Sequence, residues 1–151
     1  MIAAVVALAL AVPAAHPSAT VPKLVHFASP SGNINCIGQA ATSGSPAFAE
    51  CLVRRSAWPV KRRKPASCDL DWDPETIGLS NRRAYVGSCR GDIGPLCVDP
   101  ADPCFTLGYG RSVDIGPIRC TSATTGVTCR YRTVPRVGFL IARERYVLYR
   151  A

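Results

Sequence analysis

Apolar residues fall into short runs, rich in β-branched and aromatic side chains, that are separated by clusters of Gly, Pro, Ser and Asn. Beyond the N-terminal segment, no long stretch keeps the apolar spacing of a helix, so the pattern predicts β-strands joined by turns. The predicted strands are residues 24–27, 33–37, 49–54, 84–89, 118–122, 127–132, 139–142 and 146–149. They favour an all-β fold with little helix, either a small disulfide-stabilised antiparallel sandwich or a barrel-like meander of hairpins.

The N-terminus has a different pattern, because residues 2–12 are an unbroken apolar run followed by Pro13 and small residues. This is typical of a secretory signal peptide, although no Lys or Arg precedes the run. The run is about half as long as a membrane-spanning helix requires. We therefore expect a signal peptide at residues 1–19, cleaved after Ala14 or Ala19. Residues 20–151 would then form a single β domain, secreted or on the cell envelope, without a transmembrane anchor.

The eight cysteines all follow this N-terminal segment. An even number of cysteines in an exported chain predicts disulfides, although eight cysteines allow 105 complete pairings. Pairing neighbours along the chain is the simplest choice. It gives Cys36–Cys51, Cys68–Cys89, Cys97–Cys104 and Cys120–Cys129. The last pair is the most strongly indicated, because the two cysteines occupy matched places on predicted strands that flank a short turn.

The charge balance changes the functional expectation, since the chain carries a net charge of +8 with only 19% charged residues. A basic surface favours contact with anionic polymers, lipid headgroups or an acidic protein partner. The densest positive run is Lys61, Arg62, Arg63 and Lys64, called the tetrabasic segment below. In a cytosolic protein such a run suggests nuclear import or nucleic-acid binding. An exported chain meets no intracellular nucleic acid, so we interpret the run as a possible site for an anionic partner.

Four acidic residues follow the tetrabasic segment, namely Asp69, Asp71, Asp73 and Glu75. Their alternate spacing resembles a calcium loop, but the glycine and the terminal glutamate of that template are missing. A surface loop in which the neighbouring cations offset these acids is the simpler interpretation. The alternative is a small hydrolase that uses paired carboxylates, with Asp71, Asp73 or Asp114 as candidates.

Histidine is nearly absent, since His16 lies in the N-terminal segment and His26 lies on the first predicted strand. We therefore expect no metal site and no cofactor, and no catalytic residue is identified. Trp58 and Trp72 are expected to pack over disulfides or core strands rather than to bind a ligand. The preferred interpretation is a non-catalytic binding or structural module with a basic surface. Besides the hydrolase, an inhibitor-like or toxin-like protein that presents a Cys97–Cys104 loop is the other alternative.

Six segments of the chain form a distinctive set: FASPSGNINC, AECLVRR, WP with CDLDW, AYVGSC, LGYGRSVDIGPIRCTSATTGVTCRYR and VGFLIARERYVLY. Together they resemble a family of small secreted actinobacterial proteins of unknown function. The resemblance covers nearly all of the chain after the signal segment. It implies export, a mostly β domain without an assigned activity, and disulfides at the Cys36/Cys51, Cys68/Cys89 and Cys120/Cys129 positions.

The chain departs from this family pattern at two places. Cys97 and Cys104 look like an insertion beyond the six family cysteines, which supports a bond between them. Where many members read TGHGF, this chain reads TVPRVGF, so no role of the family histidine transfers. Arg136 is its approximate neighbour here.

Overall fold

The computed structural model describes residues 23–59, 62–98 and 104–150. The expected signal peptide and Lys61 of the tetrabasic segment lie outside the described residues. Within them the chain is all-β without a helix, as the sequence pattern predicted. The strands are β1 (Val25–Ala28), β2 (Ile34–Gln39), β3 (Phe48–Val53), β4 (Asp71–Ser80), β5 (Arg83–Arg90), β6 (Phe105–Thr106), β7 (Ser112–Ile115), β8 (Ile118–Ala123), β9 (Gly126–Tyr131), β10 (Gly138–Ile141) and β11 (Tyr146–Tyr149).

These strands form two sheets that pack on one another. The first sheet has six strands in the order β5-β4-β3-β2-β1-β6, and the second has five in the order β11-β10-β9-β8-β7. The second sheet is a plain meander in which each strand pairs antiparallel with the next along the chain. In the first sheet only the short β1–β6 pair is parallel. Of the two predicted architectures, the structure has the sandwich.

The core lies between the sheets because each strand turns alternate side chains inward. Phe27 and Ile77 of the first sheet and Phe139 and Ile141 of the second are fully buried in one apolar cluster. Strands β3, β4 and β5 contact β10 across this interface. The amphipathic period-two pattern of the sequence therefore specifies which face of each sheet is buried.

Each of the four disulfides joins two cysteines that are consecutive along the chain. Cys36–Cys51 and Cys120–Cys129 link directly opposite residues of neighbouring strands, with Cα atoms 4.1 and 4.0 Å apart. Cys68–Cys89 ties the segment before β4 to β5, and Cys97–Cys104 closes a loop of the chain before β6. A native disulfide in a small domain stabilises it by about 2–4 kcal/mol.

One structural expectation was wrong, because the acidic stretch is a strand and not a loop. Asp71 and Asp73 begin β4, which at 10 residues is the longest strand in the described chain. Asp and Pro are rare in strands, so the pattern favoured a loop. The structure accommodates Pro74 where the register of β4 against β5 shifts, between Asp73 and Ile77. A bulge is the place where a strand tolerates a proline.

No helix among the described residues is long and apolar enough to cross a membrane.

Candidate functional site

A polar cleft of about 550 Å³ opens where turns from both sheets meet at one end of the sandwich. Its walls are the β1–β2 turn, the residues that follow β3, the β8–β9 turn and the β10–β11 turn, with Tyr109 at the side. Arg54, Arg55 and Arg143 all line it, and we call it the arginine cleft. The segments come from distant parts of the sequence, so the fold alone creates the cleft.

The β1–β2 turn forms a rigid wall of the arginine cleft. Gly32 adopts φ of +67°, which favours glycine, and its N–H donates to the carbonyl of Ser29 at 2.8 Å. The Ser29 hydroxyl accepts the N–H of Ile34 at 3.2 Å and lies 3.1 Å from the Ser31 hydroxyl. The turn is therefore fixed by its own hydrogen bonds, and the exposed Ser31 faces the cleft as a hydroxyl donor.

The side chain of Asn33 positions the two arginines that follow β3. Its Oδ1 accepts the N–H of Arg55 at 3.0 Å, and its Nδ2 donates to the carbonyl of Arg55 at 3.5 Å. The N–H of Arg54 also donates to the Asn33 carbonyl at 2.8 Å. These bonds hold the backbone at residues 54–55 against the β1–β2 turn while both arginine side chains remain exposed.

Trp58 connects this arginine pair to the other side of the cleft. Its indole N–H donates to the carbonyl of Ala142 at 2.8 Å, and its ring packs edge-on against Tyr146 with centroids 5.0 Å apart. The N–H of Ala57 donates to the carbonyl of Arg143 at 2.8 Å. Trp58 is 9% exposed, so the expectation that it packs on the core is confirmed. Because of these contacts, Arg143 is held opposite Arg54 and Arg55.

The charge of the arginine cleft is strongly one-sided. Arg54, Arg55 and Arg143 are exposed, and within the described residues none of them forms a salt bridge. Glu144 is the one carboxylate among the residues that line the cleft. Hydroxyls of Thr124 and Thr125 complete a lining that has no histidine. Such a surface offers guanidinium and hydroxyl donors to an anion but holds no pair of carboxylates for acid–base catalysis.

The tetrabasic segment lies beside this cleft along the chain. Trp72 anchors it, since its indole N–H donates to the carbonyl of Arg62 at 3.0 Å while its ring covers Gly87. Trp72 is half-buried there, so it packs on the sheet as expected. Four residues span at most about 14 Å, which places Arg62 within that distance of Trp58.

The described part of the tetrabasic segment makes no direct ion pair with the neighbouring acids. Arg62, Arg63 and Lys64 are exposed and take part in no salt bridge between described residues. Asp73 instead accepts the N–H of Glu75 at 3.0 Å and the Thr76 hydroxyl at 2.6 Å. These bonds lie within the stretch of β4 where its register against β5 shifts.

The carboxylates suggested for a hydrolase lie on two different sheets. Asp71 and Asp73 lie on β4 of the first sheet, whereas Asp114 lies on β7 of the second. Asp114 is held by Arg119 at 2.7 and 2.8 Å, and this hydrogen-bonded pair lowers the pKa of the Asp114 carboxyl. Residues 23–59, 62–98 and 104–150 contain no cluster of three or more His, Cys, Asp or Glu suited to a metal ion.

The sequence analysis missed a carboxylate, Glu50, on the outer face of β3. Its Oε1 accepts the hydroxyls of Tyr85 at 2.7 Å and Ser88 at 2.9 Å, and its Oε2 pairs with Arg90 at 2.5 Å. Burial, reinforced by the negative charge of Glu50, raises the pKa of Tyr85. We call these four residues the Glu50 cluster. Glu50 lies 35–40 residues from the other three members in sequence, so no local pattern indicates the cluster.

Cys97, which is bonded to Cys104, lies against the first sheet, where its N–H donates to Oδ1 of Asn35 at 3.3 Å. Residues 99–103, between the two cysteines, lie outside the described part. Three apolar side chains around it are exposed, Ile93 by 52%, Val98 by 58% and Phe105 by 45%.

The fold and the cleft together define a small disulfide-bonded β-sandwich domain with an arginine-lined polar site. Comparison with protein-family models matches residues 4–149 to DUF6636, a family of unknown function, and the chain belongs to that family. No curated protein and no solved structure matches the chain. The four disulfides are typical of extracellular proteins.

Proposed function

We propose that the protein is an exported, non-catalytic module that binds an anionic polymer of the cell envelope through the arginine cleft. The observation that carries this proposal is the convergence of Arg54, Arg55 and Arg143 on one rigid polar cleft with a single carboxylate, Glu144. A guanidinium matches phosphate and carboxylate oxygens with two parallel hydrogen bonds. Three such groups beside serine and threonine hydroxyls suit a ligand that carries both charge and hydroxyls.

The rigidity of the cleft supports a binding role. Asn33 and Trp58 fix the backbone that carries the arginines through hydrogen bonds of 2.8–3.5 Å. Binding therefore has to order only the side chains and not the loops, which lowers the entropic cost of forming the complex.

A polymer suits the site better than a small ion because the positive surface extends beyond the cleft. Arg62, Arg63 and Lys64 follow the Trp58 anchor within a few residues and are exposed. Exposed cations on two successive segments of the chain can engage several repeating units of a polymer, whereas a single small anion contacts only a few of them.

Export is supported by the apolar run at residues 2–12 and by the pairing of all eight cysteines. Disulfides persist in oxidising compartments outside the cytoplasm. An envelope polymer is also a partner that an exported protein meets directly.

The test is retention of the folded protein on immobilised anionic polysaccharide or phosphate-rich polymer at low salt. We expect the variant Arg54→Ala/Arg55→Ala/Arg143→Ala to elute at much lower salt than the native protein. The control variant Arg83→Ala/Arg136→Ala/Arg150→Ala removes the same charge from exposed residues that do not line the cleft. Equal losses in both variants would show a diffuse charge effect and would contradict the proposal.

A second candidate function is a protein contact through the Cys97–Cys104 loop. Ile93, Val98 and Phe105 expose about half of their surface, and exposed apolar groups on a disulfide-bound loop favour a protein partner. Replacing Ile93 and Val98 by serine should abolish capture of such a partner from culture medium or a target-cell extract. If capture is unchanged, the loop does not carry a binding function.

A further inference from the structure

The outer face of the second sheet carries a row of charged side chains separate from the arginine cleft. Asp114, Arg119 and Arg130 lie directly opposite one another on β7, β8 and β9. Arg132 follows Arg130 by two residues, and its guanidinium reaches the same Asp114 carboxylate at 3.5 Å. We call Arg119, Arg130 and Arg132 the arginine row.

The arginine row is not explained by pairing within the protein. Like charges directly opposite each other on neighbouring strands destabilise a sheet. Asp114 pairs with Arg119 and Arg132, while Arg130 forms no salt bridge with a described residue. Two of the three cations thus share one carboxylate and the third pairs with none, which leaves an excess of two positive charges in this row.

The side chain of Arg130, in the middle of this face, is also held in place. The Arg130 Nη1 donates to the carbonyl of Pro135 at 2.6 Å, and its guanidinium lies 3.7 Å from the centroid of the Tyr149 ring. Gly138 lies on the strand between them and leaves room for this contact, since a Cβ there would lie 2.7 Å from Arg130 Cγ. Held in this way, the guanidinium loses little freedom when a ligand binds.

A shallow cavity of about 560 Å³ covers the arginine row. The hydroxyls of Thr121 and Thr128 lie in its lining, and Pro117 and Pro135 border it. Its size falls in the range of small-molecule sites, about 300–1,000 Å³. It shares no lining residue with the arginine cleft.

We propose that this face is a second, independent site that binds a phosphate group with two negative charges, as in a phosphomonoester or a diphosphate. Such a group matches the excess charge of the row, and its oxygens accept the guanidinium N–H groups that Asp114 and Pro135 leave free. The group is carried by a soluble molecule or by a lipid headgroup, and the two sources share this chemistry.

The experiment is an NMR titration of the full folded chain with inorganic pyrophosphate, at an ionic strength kept constant with sodium chloride. We expect shifts of the Nε–Hε signals of Arg119, Arg130 and Arg132. Arg130→Gln should weaken binding at least about tenfold, the effect of one lost charge-assisted hydrogen bond. Arg83→Gln, an exposed arginine that lines neither the arginine cleft nor this cavity, is the matched control and should leave pyrophosphate affinity at this face unchanged.

Thermal unfolding of each variant checks that the fold is intact, and Arg119→Gln provides a second variant if Arg130→Gln does not fold. Cosedimentation with phosphatidic acid vesicles and with phosphatidylcholine vesicles separates the two sources. Cosedimentation with phosphatidic acid vesicles but not with phosphatidylcholine vesicles indicates a lipid headgroup. Binding of pyrophosphate without cosedimentation indicates a soluble ligand. Either result supports the phosphate site. Equal shifts with sodium chloride alone, or unchanged affinity in Arg130→Gln, would overturn it.

Discussion

The outer faces of the two sheets share one arrangement, in which a charged residue, a glycine and a tyrosine lie opposite one another on three neighbouring strands. On the first sheet Glu50, Gly78 and Tyr85 lie directly opposite one another on β3, β4 and β5. On the second sheet Arg130, Gly138 and Tyr149 do the same on β9, β10 and β11. In each case the glycine has no side chain, so the tyrosine ring reaches across it to a charged group.

The two faces differ in enclosure and in charge balance. The side chains of Glu50 and Arg90 are only 12% and 11% exposed, and both Glu50 oxygens have donors. Arg119 and Arg132 are each 51% exposed, and they share Asp114. Removing one partner of an enclosed ion pair leaves an uncompensated buried charge and is costly, whereas an exposed ion pair contributes little to stability. The comparison therefore separates a structural cluster from a candidate binding surface.

The largest effect on stability is expected from Glu50→Ala. It leaves Arg90 nearly buried without its principal partner, and breaking a buried pair in this way costs about 3–5 kcal/mol. Denaturant unfolding measures the change. Arg119→Ala, which breaks a pair that solvent screens, should lower the free energy of unfolding far less than Glu50→Ala does. Equal losses in the two variants would remove the distinction between the faces.

Gly78→Ala tests whether the glycine is needed for the tyrosine to reach across the strand. A Cβ at this position collides with the ring of Tyr85, so the ring must move away from Glu50. We expect a loss of about 1–3 kcal/mol, typical of forced overpacking. Gly44→Ala is the control, since nothing lies within 4 Å of its Cβ position, and it should leave the free energy of unfolding nearly unchanged.

Tyr85→Phe probes the Glu50 cluster through pH. Burial raises the pKa of Tyr85 above its usual value of 10.0, so the folded protein keeps the proton while the unfolded chain loses it above that pH. Tyr85 therefore contributes stability that is complete below pH 10.0 and is lost as the pH rises further. Urea unfolding should show a shallower alkaline decline in Tyr85→Phe than in the native protein. Identical declines would show that the Tyr85 hydroxyl is not enclosed.

The smallest effect concerns Asp114 on the exposed face. Its hydrogen bond from Arg119 lowers its pKa below 3.8, so its contribution is present above that pH and is lost as the pH falls further. Arg119→Ala should let the pKa of Asp114 rise toward 3.8, as followed by carboxyl NMR shifts. Because the pair is exposed, acid stability should hardly change. An unchanged pKa would mean that the pair does not persist in solution.

The sequence predicted those parts of the fold that depend on neighbouring segments. Cys120 and Cys129 lie on the two strands of one hairpin, so the strand pattern and the turn residues between them were enough to predict their disulfide. The strand β4 was missed because Pro74 and its acidic neighbours are unfavourable in a regular strand, and only the bulge makes them acceptable.

The sites were harder to predict than the fold because their residues come from separate segments. Asn33 reaches Arg55 across 22 residues, and Trp58 reaches Ala142 across 84. Glu50 lies within an ordinary alternating strand pattern, and nothing nearby in sequence shows that Arg90 pairs with it. The tetrabasic segment was visible only because its charges are consecutive. Tertiary contacts, which local patterns do not encode, place the other charged groups.

The central claim is that Arg54, Arg55 and Arg143 bind an anionic polymer, and the salt dependence of binding tests it most directly. The measurement is the affinity for one sulfated polysaccharide over a series of sodium chloride concentrations. Each lost contact with a charged group lowers the slope of log K against log salt by about one unit. The account predicts that the triple alanine variant has a clearly shallower slope and weaker binding than the native protein. The same slope and affinity in both proteins would contradict it.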